Sequence, residues 1–97
     1  MSRQIVVRIA VRGTVLDGCP GLAITRDADG GAFFSVTHIA SGRQILVRLS
    51  RSQARRRVRD LVATGVDWTL DDPAPMVTRE MHGQIDAWQM RAAGWSR

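Results

Sequence analysis

The apolar residues of this chain follow two periodicities, and the first half of the chain has the one typical of strands. In residues 3–16 every second position from Ile5 to Val11 is isoleucine or valine. This alternation predicts a half-buried strand over residues 3–16 that bends or bulges at Gly13. Residues 22–26, 32–39 and 44–49 are also typical of strands, and short glycine-containing connections join these three. The pattern therefore predicts a mostly antiparallel four-stranded sheet.

The next segment, residues 50–64, has the apolar spacing of an amphipathic helix. Ser50 and Gln53 have the spacing of a capping box, and Gly65 suits the left-handed residue that ends a helix. We expect this helix to cover one face of the sheet, which makes the fold class α+β. The predicted core consists of Leu22, Ile24, Phe34, Val36, Ile45, Val47 and Leu49 on the sheet, with Ala54, Val58, Leu61 and Val62 on the helix. Trp68 is expected to lie against this core.

A second helix is predicted over residues 78–93, after a Pro-containing linker at residues 71–77. The chain thus forms one domain, in which residues 1–70 are the sheet-plus-helix core and residues 78–97 the C-terminal helix. Its large apolar residues trace a narrow seam: Met81, Ile85, Trp88, Ala92 and Trp95. This spacing favours a homodimer through residues 77–95. Packing of the helix back onto its own domain is the alternative, which Gly83 favours because glycine weakens an isolated helix.

The charge of the chain is concentrated on the first helix. The formal net charge is +5, every basic residue is arginine, and residues 51–59 hold five of the 14 arginines without any acid. Arg55, Arg56 and Arg59 fall on one flank of the helix, whereas Arg57 falls on the other. Such a cluster is expected to bind phosphates or an acidic protein surface, because guanidinium groups bind oxyanions in a bidentate manner. A merely solvated helix face, in a chain whose arginine content reflects codon bias, is the alternative.

The face of the sheet opposite the helix is predicted to be exposed and to extend this basic surface. It would carry Thr25, Ser35 and Thr37 together with the arginines of the strands, and Phe33 as a ring able to stack on a base. Half-burial of Phe33 under the N-terminal strand is the alternative for this residue. The predicted binding residues are Arg8, Arg12, Arg48, Arg51, Arg55, Arg56 and Arg59.

Residues 22–68 resemble the arm-binding domains of tyrosine recombinases and the related plant ethylene-response DNA-binding domains. The likeness lies in three short antiparallel strands followed by one helix, with the segments FFSV at 33–36, SGRQ at 41–44 and LSRSQA at 49–54. Those families read DNA with the exposed face of the sheet. The resemblance implies that Thr25, Ser35, Thr37 and Arg48 contact DNA. The chain departs from those families in carrying its charge mainly on the helix.

Residues able to support catalysis or bind a metal are sparse and scattered. His38 and His82 lie far apart in the sequence, and neither has a cysteine or carboxylate cluster at a ligand spacing. We expect His38 to be a hydrogen-bonding strand residue and His82 to be solvated. Cys19 is the single cysteine, which excludes an internal disulfide, fits a reducing cytoplasm and predicts a structural thiol. We expect no catalytic residues, no metal, no cofactor and no membrane span.

The sequence thus predicts a small non-catalytic nucleic-acid-binding module that uses an arginine-rich helix, with the exposed sheet face as a second contact. A protein-interaction module is the alternative, such as a mobile-element-encoded inhibitor or adaptor that binds an acidic protein surface. Salt dependence separates the two, because neutralising phosphates releases counterions and gives a steep dependence of affinity on salt.

Overall fold

The computed structural model describes residues 2–7, 11–26 and 32–92. It has an α+β fold in which an antiparallel sheet is packed by helices, as the sequence predicts. The sheet has five strands in the order β1-β2-β3-β4-β5. Their bounds are Ser2–Val7 (β1), Val11–Leu16 (β2), Leu22–Arg26 (β3), Phe34–His38 (β4) and Gln44–Leu49 (β5), followed by helices Arg51–Ala63 (α1) and Arg79–Ala92 (α2).

The N-terminal segment differs from its prediction, because residues 3–16 form two strands and not one. β1 pairs with β2 in an antiparallel register that runs from Ser2 opposite Leu16 to Val7 opposite Val11. The chain direction therefore reverses from β1 to β2, and Gly13 lies within a regular strand, opposite Ile5 and Thr25. Alternation of apolar residues continues unbroken through residues 5–11, so the sequence pattern alone does not mark this reversal.

Strand β5 also departs from simple alternation. Between Phe34 opposite Leu49 and Val36 opposite Leu46, β5 advances by three residues while β4 advances by two. The extra residue is a β-bulge. Arg48, in this bulge, has a φ of 59°, a left-handed conformation uncommon for a residue with a side chain.

The bulge changes which residues of β5 enter the core. Leu46 and Leu49 are fully buried, whereas Ile45 and Val47 are only partly buried. Ile45 and Val47 were predicted to be core residues, but neither is fully buried. Ile45 still packs against the core. Phe34 and Val62 are likewise partly buried and packed against the core.

Helix α1 forms as predicted, with the capping box at its start. The N–H of Gln53 donates to Ser50 Oγ at 3.2 Å, and the N–H of Ser50 donates to Gln53 Oε1 at 2.9 Å. Gly65 follows the helix with a φ of +85°. The apolar stripe packs across β3, β4 and β5. Its buried residues are Ala54, Val58 and Leu61, which join Leu22, Ile24, Val36, Leu46 and Leu49 in one core.

The segment after α1 carries Trp68 into this core, as expected. The Trp68 ring is buried, and its Nε1–H donates to the carbonyl oxygen of Leu61 at 3.0 Å. Next to it, the Asp67 carboxylate accepts hydrogen bonds from the hydroxyl and the N–H of Thr69, which hold the pKa of Asp67 below its usual range. A short 3₁₀ helix, Ala74–Met76, then leads to α2.

Helix α2 packs against β5 of its own chain. Trp88 is buried in the main core, and Met81, Ile85 and Ala92 pack against it. Four of the five seam residues therefore pack within one chain, which is the arrangement of the alternative prediction. The remaining seam residue, Trp95, lies outside the described residues. In the part of the chain that the structure describes, neither helix is long and apolar enough to cross a membrane.

Candidate binding surface

Four arginines of α1 form an exposed surface, here called the arginine face: Arg51, Arg55, Arg56 and Arg59. The apolar stripe of α1 is turned to the sheet, so these side chains are directed to solvent by the same periodicity that buries Val58 and Leu61. The sequence of α1 contains a single acid, Asp60. The arginine face is thus a dense positive surface on one element, as predicted from the sequence.

Arg57 is separated from the arginine face, also as predicted. Its guanidinium lies 4.8 Å from the ring centroid of Trp88 in α2 and forms an ion pair of 2.9 Å with Asp60. Arg57 therefore links the two helices, and Asp60 offsets a charge outside the arginine face. The positive charge of Arg51, Arg55, Arg56 and Arg59 is not reduced by this pair.

Two arginines stack on Phe34 at the end of the sheet where α1 begins. The guanidinium carbons of Arg51 and Arg26 lie 5.1 Å and 5.5 Å from the Phe34 ring centroid. These distances are typical of cation–π contacts. Arg26 was not among the predicted binding residues, although its pairing opposite Phe34 in adjacent strands follows from the β3–β4 register. Arg26 and Arg51 therefore contact the same aromatic ring, at the N-terminal end of the arginine face.

Phe33 lies at this same end of the molecule, immediately before β4. Phe33 is 49% exposed, so the residue is half-buried and the rest of its surface is accessible to solvent. Phe34, its neighbour, pairs with Arg26 of β3 and Leu49 of β5. Arg48 is also exposed near the end of β5. An accessible aromatic ring therefore stands at the sheet end that carries arginines.

The opposite face of the sheet does not provide the exposed surface that the sequence predicted. Thr25, Ser35 and Thr37 have exposures of 1%, 0% and 3%, so none of them is accessible for contact with DNA. The hydroxyls of Thr25 and Thr37 are hydrogen-bonded to each other at 2.9 Å, which satisfies these polar groups in the interior. Arg8 and the side chain of Arg12, predicted on the same face, lie outside the described residues.

His38 is a structural hydrogen-bonding residue, as expected. Its Nε2–H donates to the carbonyl oxygen of Leu70 at 2.9 Å, while Nδ1 is 2.7 Å from Ser41 Oγ. Ser41 Oγ also accepts from the N–H of Arg43 at 3.1 Å. His38 thereby ties β4 to the segment after α1.

The other residues considered for chemistry are placed as the sequence predicts. His82 is exposed, and Cys19 is a buried free thiol within the core. Among residues 2–7, 11–26 and 32–92, no group of three or more His, Cys, Asp or Glu side chains is arranged to hold a metal ion.

Two cavities lie beside α2, away from the arginine face. One, of about 410 Å³, is mainly apolar and lies between the end of α1 and the start of α2, with Leu61, Met81 and Trp88 in its wall. The other, of about 560 Å³, is more polar and is lined in part by His38 and Asp86. Neither cavity is lined by a residue of the arginine face.

Comparison with protein-family models, curated proteins and solved structures finds no match to this chain. The likeness of residues 22–68 to recombinase arm-binding and ethylene-response domains therefore stays a prediction from the sequence. The functional interpretation depends on the geometry of the surface itself.

Proposed function

We propose that this protein is a non-catalytic nucleic-acid-binding module whose contact surface is the arginine face. The observation that carries the proposal is the exposure of Arg51, Arg55, Arg56 and Arg59 on one helix. Phosphate contacts supply most of the affinity in sequence-independent binding, and arginine is well suited to them because its planar guanidinium binds oxyanions through two parallel hydrogen bonds.

The energetics of α1 also support the proposal. Arg51, Arg55 and Arg59 follow one another at intervals of four residues, so each pair places like charges on neighbouring turns. Such pairs destabilise a helix by about 0.2–0.5 kcal/mol each, and Arg51 stands in the first turn, where the helix dipole disfavours positive charge. A polyanion bound along α1 would relieve this repulsion.

The proposal is tested by comparing two triple variants with equal loss of charge. In the first, Arg55, Arg56 and Arg59 are replaced by glutamine. In the second, Arg43, Arg79 and Arg91, which are exposed elsewhere, are replaced by glutamine. Binding of labelled single-stranded and duplex oligonucleotides is then measured by fluorescence anisotropy at low salt.

We expect the first variant to lose at least about tenfold in affinity, since three phosphate contacts are removed, and the second to lose much less. Neither variant should be markedly less stable than the parent protein, because all six side chains are exposed, and the first should be slightly more stable because it removes the like-charge pairs of Arg51, Arg55 and Arg59. Equal loss in both variants would mean that only net charge matters, which contradicts a specific arginine face. Failure of the parent protein to bind any oligonucleotide, with retention of an acidic protein by the arginine face, would favour the protein-interaction module.

A location in a reducing cytoplasm belongs to the same proposal and is supported by the buried free thiol of Cys19.

A further inference from the structure

We infer that the arginine face selects single-stranded polynucleotide over duplex, with unpaired bases stacking at the end of the surface formed by Phe33 and Arg51. This inference rests on the proposed function and specifies the substrate class of the same surface. It is carried by the position of an exposed ring and a stacked guanidinium at one end of the row of arginines.

The row of arginines on α1 has a length and spacing suited to the phosphates of one nucleic-acid strand. Arg51, Arg55 and Arg59 are four residues apart on α1, so successive positions are separated by about 6 Å along the helix axis and the row is about 12 Å long. The flank of α1 opposite the row carries Arg57, which contacts Trp88 of α2. The row therefore lies along one side of a single helix, with Arg56 beside it.

The N-terminal end of this row has groups on which unpaired bases can stack. The Arg51 guanidinium lies over Phe34, and a guanidinium stacked on a ring has a second flat face on which a base can stack. Phe33, which precedes Phe34 in the chain, is 49% exposed. Aromatic rings beside a basic track are the usual means by which proteins bind single strands without strong sequence preference.

The bases of a duplex cannot stack on Phe33 or on Arg51. Its bases are stacked on one another and present only their edges in the grooves, so an exposed ring on the protein surface finds no base face to contact. Phosphates, by contrast, are present in both forms. Phe33 should thus contribute to the binding of a single strand and not to that of a duplex, whereas the arginines should contribute to both.

The experiment compares labelled oligothymidylate, oligouridylate and a mixed-sequence duplex of the same length at low salt. The variants are Phe33→Ala, Phe33→Trp and Met90→Ala, the last of which removes a similarly exposed apolar side chain from α2. We expect Phe33→Ala to weaken binding of both single strands at least about fivefold, from the loss of one stacked base. Binding of the duplex should stay nearly unchanged, Phe33→Trp should retain single-strand affinity, and Met90→Ala should alter neither.

The outcomes separate this inference from the proposed function. The inference is overturned if the parent protein binds the duplex at least as tightly as the single strands, or if Phe33→Ala leaves single-strand affinity unchanged while the Arg55, Arg56 and Arg59 triple variant weakens it. If that triple variant binds every oligonucleotide as the parent does, the proposed function itself is wrong. A preference between oligothymidylate and oligouridylate identifies DNA or RNA as the better ligand, and either result is consistent with single-strand selection.

Discussion

At the scale of single residues, Gly21 marks a close approach between the sheet and the segment after α1. Its φ of +88° is in the left-handed region, and a Cβ atom built on it would lie 2.3 Å from the backbone carbon and oxygen of Trp68. Glycine is required here for both reasons, since a side chain would be strained and would also displace the segment that carries Trp68 into the core. The sheet and the segment after α1 touch through backbone atoms at this point.

We predict that Gly21→Ala lowers the free energy of unfolding by at least about 2 kcal/mol, from the clash and the left-handed strain together. The matched control is Gly83→Ala in α2, where a Cβ meets nothing within 4 Å. This control should raise stability by up to about 1 kcal/mol because alanine favours a helix. Urea unfolding measures both variants, and a Gly21→Ala protein as stable as its parent would contradict the close approach.

Residues whose roles depend on local sequence were predicted correctly. The capping box of Ser50 and Gln53 and the burial of Val58 and Leu61 follow from spacing within one helix. The burial of Thr25, Ser35 and Thr37 was missed because polar residues at alternate positions of a strand ordinarily indicate a solvated face. A hydroxyl pair such as that of Thr25 and Thr37 satisfies itself in the interior, and no pattern within one strand reveals its partner.

At the scale of elements, the edge strand β5 is protected by a side chain of α2. The N–H of Val47 donates to Gln89 Oε1 at 2.8 Å, and Gln89 Nε2 donates to the carbonyl oxygen of Val47 at 2.7 Å. One primary amide thus pairs with the edge of β5 as a neighbouring strand would. These two bonds fix α2 on β5 and block the part of the sheet edge at Val47.

We predict that Gln89→Glu lowers the free energy of unfolding by about 1 kcal/mol, because a carboxylate accepts from the Val47 N–H but cannot donate to its carbonyl oxygen. Gln84→Glu is the matched control, with the same charge change at an exposed position of α2. For a domain of this size the expected loss corresponds to a fall of about 4–8 °C in Tm, measured by calorimetry. Equal effects of the two substitutions would show that charge, and not the loss of the paired bonds, is responsible.

The elements themselves were predicted better than their pairing. The α+β fold class, α1 and the positions of β3, β4, β5 and α2 follow from periodicity and from helix and turn residues. The division of residues 3–16 into β1 and β2 was missed because the apolar alternation of the sequence continues from one strand into the next. The bulge at Arg48 was missed because it depends on pairing with β4, and it moved the core position from Val47 to Leu46.

At the scale of the whole molecule, helix α1 faces the sheet, helix α2 and the solvent on three different sides. Its apolar stripe lies on the sheet, Arg57 contacts Trp88 of α2, and the arginine face is turned to solvent. The long-range packing of α2 could be predicted only as one of two alternatives, since a narrow apolar seam fits a second copy as well as the chain's own core. In the structure, Trp88 is only 7% exposed within a single chain.

We predict that Trp88→Ala destabilises the protein without changing its state of assembly. Truncation of a buried tryptophan should cost about 3–5 kcal/mol in the free energy of unfolding, which urea unfolding measures. Sedimentation equilibrium at micromolar concentration should give the mass of one chain for the parent and for the milder variant Trp88→Phe. A dimeric parent that dissociates when Trp88 is changed would instead place this residue in an interface between two copies.

The central claim, that the arginine face neutralises phosphates, is tested most directly by the salt dependence of oligonucleotide affinity. Each phosphate neutralised on a single strand contributes about −0.7 to the slope of log K against log salt concentration. If Arg51, Arg55, Arg56 and Arg59 each neutralise one phosphate, the parent protein should show a slope of about −2.8. Replacing Arg55, Arg56 and Arg59 with glutamine should make the slope shallower by about 2, while replacing Arg43, Arg79 and Arg91 should leave it nearly unchanged. Parallel slopes for the parent and the Arg55, Arg56 and Arg59 variant would contradict the account.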